Sequence, residues 1–258
     1  MAATSFYTEN LGLSIVKEEQ NEIHLGVQQT VLLIVKAGAK IEKQSGRAGL
    51  YHFALLVPAR KDLGTILQHL LASNTQIQGG ADHLFSEAVY LSDPDGNGIE
   101  IYCDRPIERW NVGEDGSFPM VSHPLDKESL LKEAGDWEGL PDHTVMGHIH
   151  LHVNNLKQAA HFYLDLLGFL KKIEFRNQAL FVASGDYHHH IGLNTWAGEG
   201  ARQSDPEASG LVEYELQATK GEVMQIIQRL EEADYPFSKN INRVSIMDPA
   251  KNKLVLVY

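Results

Sequence analysis

The segment His148-Ile149-His150-Leu151-His152-Val153 alternates histidine with aliphatic residues. At the two-residue period of a strand, three imidazoles share one face and three aliphatic side chains the other. His52 lies in a comparable apolar run, Gly49-Leu50-Tyr51-His52-Phe53, and Glu100 lies in Gly98-Ile99-Glu100-Ile101-Tyr102. There Glu100 and Tyr102 share a face opposite Ile99 and Ile101. A lone histidine of this kind is more often a hydrogen-bonded or half-exposed residue than a ligand. Recurrence at matching strand positions of a repeat argues for one site. Two imidazoles and one carboxylate form the facial set that holds Fe(II) and leaves positions open for substrate and oxygen. His52, Glu100 and His148 are therefore the candidate metal ligands.

An internal repeat supplies those strands. Phe162-Tyr163 before Leu167-Gly168-Phe169 echoes Phe6-Tyr7 before Leu11-Gly12-Leu13 at the same spacing. Gly49-Leu50-Tyr51 is echoed by Gly210-Leu211-Val212, and Asp93-Pro94 by Asp248-Pro249. Four modules follow, at about 1–36, 48–104, 147–196 and 210–258, each reading as strand, helix and three strands. In the third, apolar residues at helical spacing predict a helix over 155–167 closed by Gly168, then strands at 171–176, 179–183 and 189–195. The second predicts a helix at 61–72. Residues 105–146 read as a polar connector with a helix near 125–134. The residue matching His148 in the first module would lie before Met1, so that module is expected to lack its first strand and to leave a sheet edge exposed.

Composition narrows the classes of function. The 258 residues are 43% hydrophobic and 22% charged with a net charge of −12, which gives no general electrostatic reason to bind nucleic acid or anionic lipid. The single Cys103 excludes an internal disulfide framework and a cysteine-rich zinc site. No apolar run reaches the length of a membrane span, and the start does not read as a signal peptide, so a cytoplasmic protein is expected. A homo-oligomer is compatible with the sequence.

A sharper pattern is Ala81-Asp82-His83, Val89-Tyr90, Asp93-Pro94-Asp95-Gly96 and Glu100, with Asp186-Tyr187-His188-His189-His190-Ile191-Gly192-Leu193 further on. These segments, with the four modules, resemble the vicinal-oxygen-chelate superfamily and in particular its extradiol ring-cleaving dioxygenases of the bacterial catechol 2,3-dioxygenase type. Only Ala81 departs from that family's signature. The resemblance implies an α+β fold of tandem βαβββ modules forming two open-barrel mixed sheets flanked by helices. On that basis 1–104 is a first pair of modules, 105–146 the connector and 147–258 a second pair. It also implies Fe(II), or Mn(II) in its place, a small aromatic diol and O2 as substrates, and His189, Tyr90 and His83 as catalytic residues, His189 being the acid–base.

In the best-known extradiol enzymes the ligands come from the third and fourth modules, but here the fourth offers Glu213 and Val255 at those positions. Modules 48–104 and 147–196 are therefore expected to pair around the metal, and the first and fourth to form a metal-free partner. Gly192 occupies the slot in the third module that matches Glu100, and is expected to leave a coordination position open. Rival readings are a glyoxalase-type isomerase, which wants a further carboxylate, and a non-enzymatic small-molecule binding protein. Asp93-x-Asp95-x-Asn97-Gly98 imitates a calcium loop, but its flanks alternate as strands and a tight turn is the better reading. Cys103 reads as packing, and Trp196 as core or pocket mouth.

Overall fold

A computed structural model describes residues 2–258. The first module opens with a helical segment, α1 (Ala2–Ser5), that continues as a π-helical turn through Phe6–Asn10. Strands β1 (Ser14–Glu18), β2 (Glu22–Val27) and β3 (Thr30–Lys36) follow as an antiparallel sheet in that order. The second module is β4 (Gly49–Leu56), α2 (Arg60–Ala72), β5 (Ile77–Asp82), β6 (Ser86–Ser92) and β7 (Gly98–Asp104). The connector carries a 3-10 turn at Ile107–Arg109, the short β8 (His123–Pro124) and α3 (Lys127–Lys132).

The third module comprises β9 (Val145–His152), α4 (Leu156–Ala160) running into a π-helical turn at His161–Leu166, β10 (Leu170–Phe175), β11 (Ala179–Ala183) and β12 (Ile191–Asn194). The fourth is β13 (Tyr214–Gln217), α5 (Lys220–Glu232), β14 (Phe237–Asn240), β15 (Arg243–Met247) and β16 (Lys253–Val257). No helix among the described residues is long and apolar enough to cross a membrane.

Contacts divide the chain into two compact units. One holds the residues up to Lys43, His52–Gly113 and Pro119–Ile149; the other holds Gln44–Tyr51, Glu114–Phe118 and His150–Tyr258. In the first unit the strand order is β9-β4-β7-β6-β5-β8, beside the three-stranded sheet of the first module. β4 and β7 pair in parallel and β7, β6 and β5 antiparallel, so the sheet is mixed. The second unit repeats this logic, with β10-β11-β12-β9 and, in the fourth module, β13 parallel to β16 within β13-β16-β15-β14.

The burial pattern explains the layering. Leu63, Ile66, Leu67 and Leu70 of α2 are buried at helical spacing, and α2 packs on β6 and β7, where Leu91, Ile99 and Ile101 are also buried. Each such side chain contributes about 1.5–3 kcal/mol when fully buried. α5 is secured by a capping box in which Thr219 and Glu222 satisfy each other's backbone amides. The helical turn of the third module closes at Gly168, whose φ of +84° is the left-handed conformation glycine adopts without strain. The first strand after each helix carries a β-bulge in modules one to three, at Val16, Gln78 and Lys172.

Candidate metal centre

Within the first unit, the register of the sheet brings three separate segments together. Glu100 on β7 lies opposite Ala54 on β4 and Tyr90 on β6, while His52 lies opposite Gly98. Ile99 and Ile101 point to the helix side of the sheet, which sends Glu100 and Tyr102 to the other face. His148 of β9 completes the group. Its Nε2 is 3.2 Å from Glu100 Oε2, and His52 Nε2 is 3.0 Å from the same oxygen. The two imidazole centroids are 5.6 Å apart. All three residues are buried. Burial alone would raise the Glu100 carboxyl, but His148 and His52 outweigh it and hold the group well below the usual carboxylate range.

This donor set fits a metal ion. One nitrogen from each ring and a carboxylate oxygen lie within 4.8 Å of one another. Octahedral coordination with bonds of about 2.1 Å gives neighbouring ligand atoms near 3.0 Å apart, which matches both nitrogen–oxygen separations. His52, Glu100 and His148 are the residues that would hold the ion.

Room for this arrangement is made by small residues around Tyr102. The tyrosine is fully buried, clusters with Ala54 and Ala88, and lies with its ring centroid 4.9 Å from that of His148. A Cβ at Gly147 would fall 2.0 Å from the Tyr102 hydroxyl oxygen. The absence of that methyl is what lets Tyr102 pack against the strand carrying His148. Residue 147 carries no chemistry of its own, and no local pattern in the sequence marks it.

Tyr90 and His83 also meet. His83 Nδ1 is 2.7 Å from the Val121 carbonyl and its Nε2 is 2.7 Å from the Tyr90 hydroxyl. The carbonyl only accepts, so His83 Nδ1 carries a proton. In the neutral ring Nε2 then accepts from Tyr90, whose oxygen keeps acceptor capacity. The Tyr90 ring is 5.9 Å from that of His52. Asp82, clamped by Arg105 Nη2 at 2.9 Å, fixes the turn that presents His83.

His189 belongs to the second unit, and is buried. The strand expected at 189–195 begins only at Ile191, so His188, His189 and His190 lie in a bend. The expected alternation of faces therefore does not apply. His188 Nδ1 and His189 Nδ1 are 2.8 Å apart, which requires one to donate and the other to accept. His190 Nδ1 accepts from the Ser184 amide, and burial together with His188 lowers the pKa of His190.

The other two histidines of the 148–152 alternation serve Asn194. Its amide lies 2.9 Å from His150 Nε2 and its Oδ1 2.7 Å from His152 Nδ1. Phe181 faces Gly192 across β11 and β12 as Tyr90 faces Glu100, which supports matching Gly192 with Glu100. Gly192 offers no ligand, and a Cβ there would fall 2.8 Å from the His150 ring, so His150 fills the space beside it.

The calcium-like loop is a turn between β6 and β7. Asp93 Oδ1 accepts from the amides of Asp95 and Asn97, and Oδ2 from Asn97 Nδ2 and the Tyr7 hydroxyl. Its carboxylate is consumed by the fold. Cys103 is buried, which pushes its thiol up to about 12. Trp196 is 43% exposed beside Tyr51 and His150.

Comparison with known proteins bears on this geometry. The chain is 41% identical over 257 residues to the catechol-2,3-dioxygenase of Bacillus subtilis (strain 168), covering 97% of this chain and 90% of that protein. Residues 1–101 match the model of the glyoxalase/bleomycin resistance protein/dioxygenase superfamily. The chain belongs to this superfamily. Its fold is shared by glyoxalase I from Zea mays, with TM-score 0.59 and 14% identity over 99% of this chain and 87% of that one. It is also shared by the cppA protein of Streptococcus pneumoniae TIGR4, with TM-score 0.57 and 16% identity over 99% and 92% of the two chains. Members of the superfamily depend on metals, and the buried His52–Glu100–His148 group is where this chain has a matching site.

Proposed function

We propose that this superfamily member is an extradiol ring-cleaving dioxygenase, acting on catechol or a substituted catechol with O2 at a mononuclear Fe(II) site. The observation that carries this reading is the buried group of two imidazoles with a single carboxylate, in a chain 41% identical to a protein named catechol-2,3-dioxygenase. Three protein ligands leave three of six octahedral positions, enough for both diol oxygens and O2. A glyoxalase-type isomerase is disfavoured because the matching slot in the third module is Gly192, backed by His150.

Fe(II), when bound, supplies Lewis acidity toward the diol and electrons for oxygen. Glu100 contributes one negative charge in a buried setting, which partly neutralises the ion and keeps it electron-rich. His52 and His148 must be neutral at Nε2 to coordinate. Tyr90, oriented by His83, offers its oxygen as a hydrogen-bond acceptor for the bound diol. His189 takes a diol proton and later returns one to the product oxygens, since imidazole titrates near working pH. Its partner His188 holds the ring by the Nδ1 contact.

Oxygen uptake separates the readings. Protein purified without oxygen and loaded with Fe(II) should consume one O2 per catechol and yield a muconic-semialdehyde-type product. An isomerase or a sequestering protein would consume none. Metal analysis of the protein as purified without oxygen, before any metal is added, decides between iron and manganese.

A further inference from the structure

Lys172 is a buried lysine, only 5% exposed, in a chain with a net charge of −12. Among the described residues no acid or hydrogen-bond acceptor engages its ammonium group. Its neighbour Lys171, by contrast, is exposed and pairs with Glu174. Lys172 is the extra residue of the β10 bulge, since Lys171 faces Val182 and Ile173 faces Phe181. Two residues, Lys172 and Ile173, thus stand against one, and both are buried.

The second module shows where a side chain at this bulge is directed. Its equivalent is Gln78, set between Ile77 opposite Leu91 and Gly79 opposite Tyr90. Gln78 Nε2 donates to Ser92 Oγ at 2.7 Å, and Ser92 shares a strand face with Tyr90 and, across the ladder, Glu100. The bulge therefore directs its side chain to the functional face. In the third module the residue matching Ser92 is Ala183, which has no polar group to offer. The same face there carries Phe181, with the rings of His150 and His189 centred 5.1 and 5.0 Å from it. The backbone at Lys172 is held by Phe118, whose amide donates to the Lys172 carbonyl at 2.9 Å.

A lysine whose stem is buried and whose ammonium group has no counter-charge gains from an anionic partner at its tip. The lysine ammonium group is also not among the polar atoms sealed off from solvent. A buried stem with an accessible tip on an aromatic-walled face is the construction of an anion site. We propose that Lys172 recognises the carboxylate of a small aromatic acid on this face of the second unit.

The test needs no turnover. Calorimetric titration of the whole protein with benzoate and with its neutral isostere benzamide should show benzoate binding at least about tenfold tighter, the scale of a hydrogen bond to a charged group. Lys172→Met keeps the length of the stem and should erase that preference while leaving benzamide within about threefold. Lys172→Gln, which installs the residue of the second module, should do the same and serves if the Met variant fails to fold. The site is refuted if wild type does not discriminate, or if it fails to bind benzoate up to about 10 mM. It is equally refuted if discrimination survives both substitutions.

Discussion

At the scale of single residues, the candidate centre divides labour between groups that would hold an ion and groups that would move a proton. Glu100 Oε2 sits near both imidazole nitrogens, so losing it removes the charge and the shared corner of the site. Glu100→Ala and His148→Ala should each abolish stoichiometric iron binding, measured by metal analysis, with the circular dichroism spectrum unchanged. Retention of a full equivalent of iron by either variant would remove that residue from the ligand set. His189 has a different expected signature. His189→Gln should keep metal and diol binding but lose about 10²–10⁴ in kcat, the usual range for a general acid–base. Loss of iron in this variant would instead make His189 a ligand. The His188 contact adds that the His189 ring is oriented before substrate arrives, because its Nδ1 is already engaged.

At the scale of elements, the site depends on how closely β9 approaches Tyr102. The position of His148 on its strand follows from alternation alone, and that much was legible in the sequence. What sets its distance from β7 is a tyrosine, two alanines and one missing methyl group, residues far apart in the chain. Gly147→Ala would bring a Cβ to 2.0 Å from the Tyr102 hydroxyl oxygen and 2.7 Å from ring carbons. Something must move, and the neighbouring residue is His148. We expect Gly147→Ala to weaken iron affinity by at least about tenfold, the range typical of disturbing a ligand's supporting contacts. Adding Tyr102→Phe removes the closest of those atoms and should recover part of the loss. If Gly147→Ala binds iron like wild type, β9 is not positioned by this contact. The match of Gly192 to Glu100 was likewise legible from the repeat, whereas the His150 ring over Gly192 is a tertiary contact that alternation cannot show.

At the scale of the whole molecule, the repeat is joined within each unit by the same device. In the first unit the Tyr7 hydroxyl donates to Asp93 Oδ2 at 2.7 Å; in the second, Tyr163 donates to Asp248 Oδ2 at 3.0 Å. Each tyrosine comes from the helical turn of one module and each aspartate from the Asp-Pro turn of the next. The matching Phe-Tyr and Asp-Pro pairs were visible as a repeat because the same fold demanded them twice, but their direct partnership was not, since 86 and 85 residues separate the partners. The histidine bend at 188–190 was hidden for a different reason: β12 begins at Ile191, later than the expected 189, so the periodicity used to assign faces does not yet hold at these residues. The second clasp is the more extensive, because the Tyr163 hydroxyl also lies 2.8 Å from that of Tyr214, and all three groups are buried. Burial and the adjacent carboxylate raise the pKa of both Tyr7 and Tyr163, which keeps them protonated as donors. Hydrogen bonds to charged groups contribute about 1.5–3 kcal/mol. Tyr7→Phe should therefore destabilise the protein by that amount in urea unfolding, and Tyr163→Phe by at least as much, because it also leaves Tyr214 without this contact. The two clasps lie in different units and share no partner, so the double variant should equal the sum of the singles within about 0.5 kcal/mol. A coupling well beyond that margin would mean that the clasps act as one network and that the two units are not energetically separate.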